Sequence, residues 1–155
     1  WGADGLDKVV FTAATNTGTD AAPINKIASG GELARFMLAL KVNLATSENI
    51  PTLVFDEVDA AIGGATASAV GERLARLARE NCQVLVITHS PQVASFGAHH
   101  FRVEKGDIDR KTITTVRELS DSERREEIAR MLSGAEITDA SRAAAVELLK
   151  NRMNA

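Results

Sequence analysis

The chain has no tyrosine, one tryptophan, five phenylalanines, three prolines and a single cysteine, Cys82. One cysteine permits no internal disulfide, which excludes the disulfide-stapled secreted class and agrees with a reducing cytoplasm. So few aromatics argue against a base-stacking platform for single-stranded nucleic acid. Positive charge is not in excess either: 18 Lys and Arg stand against 21 Asp and Glu, a formal net charge of −3. That balance argues against a strongly basic, self-sufficient nucleic-acid module. No run approaches the roughly 18 uncharged apolar residues that a membrane span needs, which argues against a membrane role. Trp1-Gly2-Ala3-Asp4 shows no basic region leading into an apolar core, so no signal peptide is visible. What is present is 155 residues, 45% hydrophobic and 25% charged, the profile of one ordinary soluble domain.

Periodicity along the chain predicts an α/β fold. Leu6 to Thr12 reads as a strand, followed by a polar loop to about Ala28. From Ser29 the apolar residues Leu33, Phe36, Met37, Leu40 and Leu44 take helical spacing. Thr52-Leu53-Val54-Phe55 is a short apolar run that ends in Asp56-Glu57-Val58-Asp59. After Gly63-Gly64 a second helix is expected, with Ala67, Val70, Leu74 and Leu77 inward and Arg73, Arg76 and Arg79 outward. Gln83 to Ile87 is another uncharged run, ended by Thr88-His89-Ser90-Pro91. Both runs lack polar alternation, the pattern of parallel strands covered on both faces. Two strands follow, at about Phe101 to Glu104 and Thr112 to Leu119, then two helices, at about Ser122 to Leu132 and Ala140 to Arg152. Arg124 and Arg125, interleaved with Glu123, Glu126 and Glu127, read as a solvated face.

Strand, helix and strand at this spacing form a βαβ unit, so the C-terminal ends of the two strands lie on one sheet edge. Asp56-Glu57 and Thr88-His89 are therefore expected as neighbours where open parallel sheets bind ligands. An acidic pair after an apolar strand is the setting of P-loop nucleotide hydrolases. There the first carboxylate holds Mg²⁺, usually through water, and the second orients or deprotonates the attacking water. Acidic residues also leave strands simply to reach solvent. Ser29-Gly30-Gly31-Glu32 fits a helix capping box, but each glycine weakens the first turn. Exposed N–H groups at a helix start also suit a phosphate. Ser90 and Pro91 are accounted for as N-cap and first helical residue. For His89 a γ-phosphate contact competes with a structural hydrogen bond. His99, His100 and Cys82 have no metal-ligand spacing and read as structural.

The order Ser-Gly-Gly-Glu, apolar strand with Asp-Glu, Asp59, then strand with His resembles the C-terminal lobe of an ABC-type ATPase head, as in SMC-like and DNA-repair ATPases. Ser29, Gly30, Gly31 and Glu32 match the signature motif, Thr52 to Asp56 the Walker B strand, and Glu57 the catalytic glutamate. Asp59 matches the D-loop and His89 the switch histidine. Within that superfamily the chain most resembles the RecN family of bacterial DNA repair proteins. The likeness is carried by Lys26 to Leu33, Met37 to Lys41, Phe55 to Asp59, Ile62 to Gly64, Thr88 to Ala94 and Glu127 to Leu132. Ala34 and Ala61 depart from it, standing where the family usually has serine and glycine.

A P-loop needs Gly-x-x-x-x-Gly-Lys-Ser/Thr, whose backbone cradles phosphates. None of Lys8, Lys26, Lys41, Lys105, Lys111 and Lys150 follows a glycine. The resemblance thus implies one lobe, residues 1–155 with 121–155 as a helical C-terminal extension, lacking the Walker A lobe and the coiled coil that precedes it. It implies ATP and Mg²⁺ as cofactors, with Asp56, Glu57 and His89 acting on nucleotide held by the N-terminal Walker A lobe. Ser29 to Glu32 would act in trans across a homodimer of heads, with DNA reached through the full-length protein at the nucleoid in the cytoplasm, away from membranes. Two alternatives stay open: the head of another ABC-type ATPase (an SMC protein, a related repair ATPase or a transporter subunit), or a non-catalytic clamp on DNA.

Overall fold

The computed structural model describes residue 5 and residues 9–14, 18–26, 33, 36–40, 51–56, 59, 62–79, 82–108, 111–134 and 136–151. Ser29, Gly30, Gly31, Glu32 and Glu57 of the expected site lie outside these, as does Leu44 of the first expected helix. A short antiparallel pair, β1 (Thr12–Ala13) and β2 (Ala22–Pro23), comes first. Helix α1 follows, described at residue 33 and over 36–40. Strand β3 (Thr52–Asp56), helix α2 (Gly64–Arg79) and strand β4 (Gln83–Ile87) make the expected βαβ unit, parallel from Thr52↔Gln83 to Asp56↔Ile87. Helix α3 (Pro91–Phe96) leads to an antiparallel hairpin of β5 (Phe101–Ile108) and β6 (Lys111–Glu118). Helices α4 (Asp121–Ser133) and α5 (Asp139–Asn151) complete an α/β arrangement.

The main core lies on one face of the β3–β4 pair. Side chains alternate across a strand, so Leu53, Phe55, Val84 and Val86 meet Ala67, Val70, Leu74 and Leu77 of α2, Leu38 of α1 and Val93 of α3. The four α2 positions are those its helical spacing predicts. The expectation of cover on both sheet faces is not met among the described residues, since Val54, Leu85 and Ile87 on the other face are exposed. The reason is geometric: a single crossover helix covers a single face, and Val93 brings α3 to that same core.

Three further expectations change. Residues 9–11 are not a strand and residues 6–8 lie outside the described residues; the ladder with β2 is confined to Thr12↔Pro23 and Ala13↔Ala22, while the Ile24 N–H donates to the Phe11 carbonyl at 3.0 Å. Among the described residues of α1, Leu38 is buried in the core and Phe36 and Leu40 are half-buried, while Leu33 and Met37 are exposed. The helix is thus rotated from the stripe that the apolar spacing suggests, one residue being about 100° of turn. On α4, Arg124 is not solvated but only 4% exposed.

Helices α2 and α3 approach closely at Gly71. A Cβ there would stand 2.6 Å from Phe96 Cδ2 and 3.2 Å from Val93 Cα, so only glycine fits without displacing α3. A second small core joins Ile128 and Ala129 of α4 to Ala145 of α5, with Ala94 of α3 packed against it. Helix α4 starts in a reciprocal capping box, Ser120 accepting from the Glu123 amide while the Glu123 carboxylate accepts from the Ser120 amide at 2.9 Å. The backbone N–H and then the hydroxyl of Ser120, aided by Arg117, hold the Glu123 carboxyl at about 2, below its ordinary 4.5.

Gly71→Ala is expected to destabilise the protein by roughly 1–3 kcal/mol through overpacking, read as a lowered denaturation midpoint. An unchanged midpoint rejects the close approach. For Glu123 the lowered pKa means that its contribution is full above about 4.5 and is lost as pH falls towards about 2. Glu123→Gln, which keeps the cap geometry, is therefore expected to flatten the melting-temperature profile across that window relative to the parent.

Candidate functional site

The register that pairs Asp56 with Ile87 puts the ends of β3 and β4 side by side. Both following loops consequently leave from one sheet edge, as the βαβ reading requires. Asp56 is exposed there. Asp59, three residues on, turns inward and is 1% exposed. Its Oδ2 accepts from the Thr88 hydroxyl and from the Ser90 N–H at 3.1 Å. The Ser90 N–H also lies 2.9 Å from Thr88 Oγ1. Ser90 in turn caps α3, its Oγ accepting from the Val93 N–H at 3.4 Å and donating to Gln92 Oε1 at 3.0 Å. Between these two inward residues, His89 is exposed.

The result is a cross-tied edge: one buried carboxylate holds the loop after β4 against the loop after β3. Asp56 and His89 are left open to solvent on that edge. Ser90 and Pro91 act as the N-cap and first-turn residues expected of them. Ser90 was legible as cap chemistry, but the bond that it and Thr88 share to Asp59 was not. The available signal was two hydroxyls at alternate positions just past β4, level with an acid just past β3.

Among the described residues no group of three or more His, Cys, Asp or Glu side chains is placed to hold a metal ion. A lone exposed carboxylate still fits Mg²⁺, which keeps several waters and binds through one or two carboxylates plus substrate phosphates. Cys82 is buried, and His99 Nδ1 pairs with Glu118 Oε1 at 2.7 Å. Burial, then the neighbouring Arg124 guanidinium, push the His100 pKa below its ordinary value, against an opposing pull from Glu127.

No protein-family model matches the chain. It is 54% identical over 147 residues, 95% of its length, to a DNA repair protein RecN from Rickettsia conorii. It is 51% identical over 147 residues to one from Haemophilus influenzae, and 50% identical over 148 residues to one from Mycobacterium leprae. It spans only about a quarter of these relatives (27%, 26% and 25% of their lengths). Among solved structures it is similar to a chain described for ATP-driven dimerization and DNA-stimulated activation of SMC ATPases. That match has a TM-score of 0.53 at 23% identity, covering 77% of this chain and 70% of the other. The likeness establishes an SMC-ATPase-like α/β fold.

Asp59→Ala removes the acceptor that the Thr88 hydroxyl and the Ser90 N–H share. A loss of about 1–3 kcal/mol is expected from donors left buried without it, read from the denaturation midpoint. A midpoint equal to the parent's rejects the tie.

Proposed function

Because the chain belongs to the RecN family of DNA repair proteins, we propose that it is the C-terminal lobe of an SMC-like ATPase head acting in double-strand break repair and recombination. The observation that carries this reading is the cross-tied sheet edge, with Asp56 ending β3 and His89 following β4 on either side of the buried Asp59. The ordered motif set and the SMC-ATPase-like fold support it.

In this reading Asp56 would hold Mg²⁺, through water, and the ion would neutralise phosphate charge. Glu57 orients and deprotonates the water that attacks the γ-phosphate of ATP. His89 donates a hydrogen bond to that phosphate as charge develops on its oxygens. Asp59 keeps the two loops in register as part of the D-loop. Ser29, Gly30, Gly31 and Glu32, as the signature motif, act in trans on nucleotide bound by a second head.

The phosphate cradle is supplied by an N-terminal Walker A lobe of the same protein, which this sequence does not contain. Exposed Val54, Leu85 and Ile87 give that lobe an apolar surface to cover. In this reading α4 and α5 belong to a helical C-terminal extension. ATP that touches two heads at once binds the closed dimer more tightly than the open pair and so favours it. Its hydrolysis removes the bridge. DNA is engaged by the full-length protein at the nucleoid. No described helix is long and apolar enough to cross a membrane.

In the full-length protein, Glu57→Gln is expected to lower ATP turnover by roughly 10²–10⁴-fold while ATP-dependent dimerisation persists. Unchanged turnover rejects the catalytic assignment. The chain on its own is expected to release negligible phosphate, and robust turnover by it contradicts the two-lobe reading.

A further inference from the structure

Helix α3 is held at both ends by residues distant in sequence. At its start, Ser90 is fixed to Asp59. At its end, the Arg124 guanidinium of α4 reaches four main-chain carbonyls. Arg124 Nη2 donates to Ala94 O at 3.2 Å, Ser95 O at 2.8 Å and Gly97 O at 2.6 Å, and Nη1 donates to Ala98 O at 3.5 Å. Burying a cation is costly unless it is hydrogen-bonded. The last carbonyls of a helix lack intrahelical partners and carry partial negative charge. Ala94 O and Ser95 O are such helix-end carbonyls and Gly97 O and Ala98 O lie just past the end, so carbonyl dipoles offset the guanidinium charge.

Helix α3 is only six residues long, Pro91 to Phe96, and a helix that short moves as one body. Its third wall is Gly71 of α2, against which Phe96 and Val93 pack. His89 enters α3 through Ser90 without an intervening residue. The placement of α3 thus bears on His89 through the backbone of Ser90, alongside the tie from Asp59. Arg125, the next residue, is exposed and bonds back to Asp121 O of its own helix at 3.3 Å.

We propose that Arg124 is a positioning residue for the ATPase reaction, holding His89 in place through α3 and so coupling the α4–α5 hairpin to the nucleotide edge. This rests on the role given to His89 above. Arg124 touches no reacting atom. What it controls is the placement of an imidazole at the far end of a rigid helix, where an error of about 1 Å can cost up to roughly 10²-fold in rate.

The test uses the full-length protein and measures ATP turnover for Arg124→Lys, His89→Ala and the double variant, with melting temperature as the check on folding. Lysine keeps the charge but loses the planar fork of donors. The expected result is a kcat lowered about tenfold by Arg124→Lys at unchanged KM. In the His89→Ala background the same change is expected to alter kcat by less than about twofold, because the two act in series. Equal fold-losses in both backgrounds make Arg124 merely structural and overturn the inference while leaving the His89 role intact. Unchanged kcat in Arg124→Lys overturns it too. Unchanged turnover in His89→Ala alone overturns the reading of His89 and the inference with it. Should Arg124→Lys not fold, Gly71→Ala displaces α3 from its other side; the same non-additivity with His89→Ala supports the lever, and multiplicative losses overturn it.

Discussion

The Asp59 carboxylate is 1% exposed, and burying an ionised group without partners costs several kcal/mol. What offsets that cost is the pair of donors from the loop after β4, the Thr88 hydroxyl and the Ser90 N–H. Those donors are in reach only because β3 and β4 run parallel in the register Asp56↔Ile87. A slip of one residue would turn the core side chains Phe55 and Val86 to the open face and separate the loops. The same bond fixes Ser90 as the cap of α3, and α3 in turn contacts α4 through Ala94 and Arg124. Sheet register, loop closure and helix placement are in this sense one event.

Strand alternation divides the apolar residues of the βαβ unit into two sets with different fates. Leu53, Phe55, Val84 and Val86 meet α2 and are covered; Val54, Leu85 and Ile87 are not covered among the described residues. The β5–β6 hairpin repeats the theme, with Phe101 and the cross-strand pair Val103 and Val116 exposed together on one face. The chain spans about a quarter of the length of its curated relatives. The proposed two-lobe head assigns cover for the sheet face to polypeptide outside this sequence.

Charge is organised by helix rotation rather than by composition. Arg124 and Glu127 lie one turn apart on the buried side of α4, and Glu127 is 7% exposed. Arg130 and Arg102 face Glu127 at 2.6 and 3.3 Å. The hydrogen bond from Arg130 is the main influence holding the Glu127 carboxyl below its ordinary range, against the opposing effect of burial. Exposed pairs such as Arg76 with Glu72 and Arg142 with Asp139 contribute little by comparison, because water screens them. Breaking the buried set leaves charges unpaired in the interior, which is the costly case.

Periodicity and end signals made the βαβ unit legible in the sequence: β3, α2 and β4 begin and end where apolar runs meet Pro51, Gly63-Gly64 and Thr88. The same logic placed Asp56 and His89 on one edge, since parallel strands joined by a crossover must end together. The N-cap of α3 and the inward face of α2 were equally readable, being local or strictly periodic. The rotation of α1 onto Leu38, the inward turn of Asp59, the burial of Arg124 beside a solvated Arg125 and the bare second face of the sheet were not. Each depends on which element arrives opposite a given side chain. That is a property of packing between segments 30 or so residues apart, and local pattern carries no record of it. The sequence by itself determined which residues reach the candidate edge; only the tertiary structure decided which of them stay in solvent and which become the bonds that hold it, because burial is set by the neighbours that folding brings.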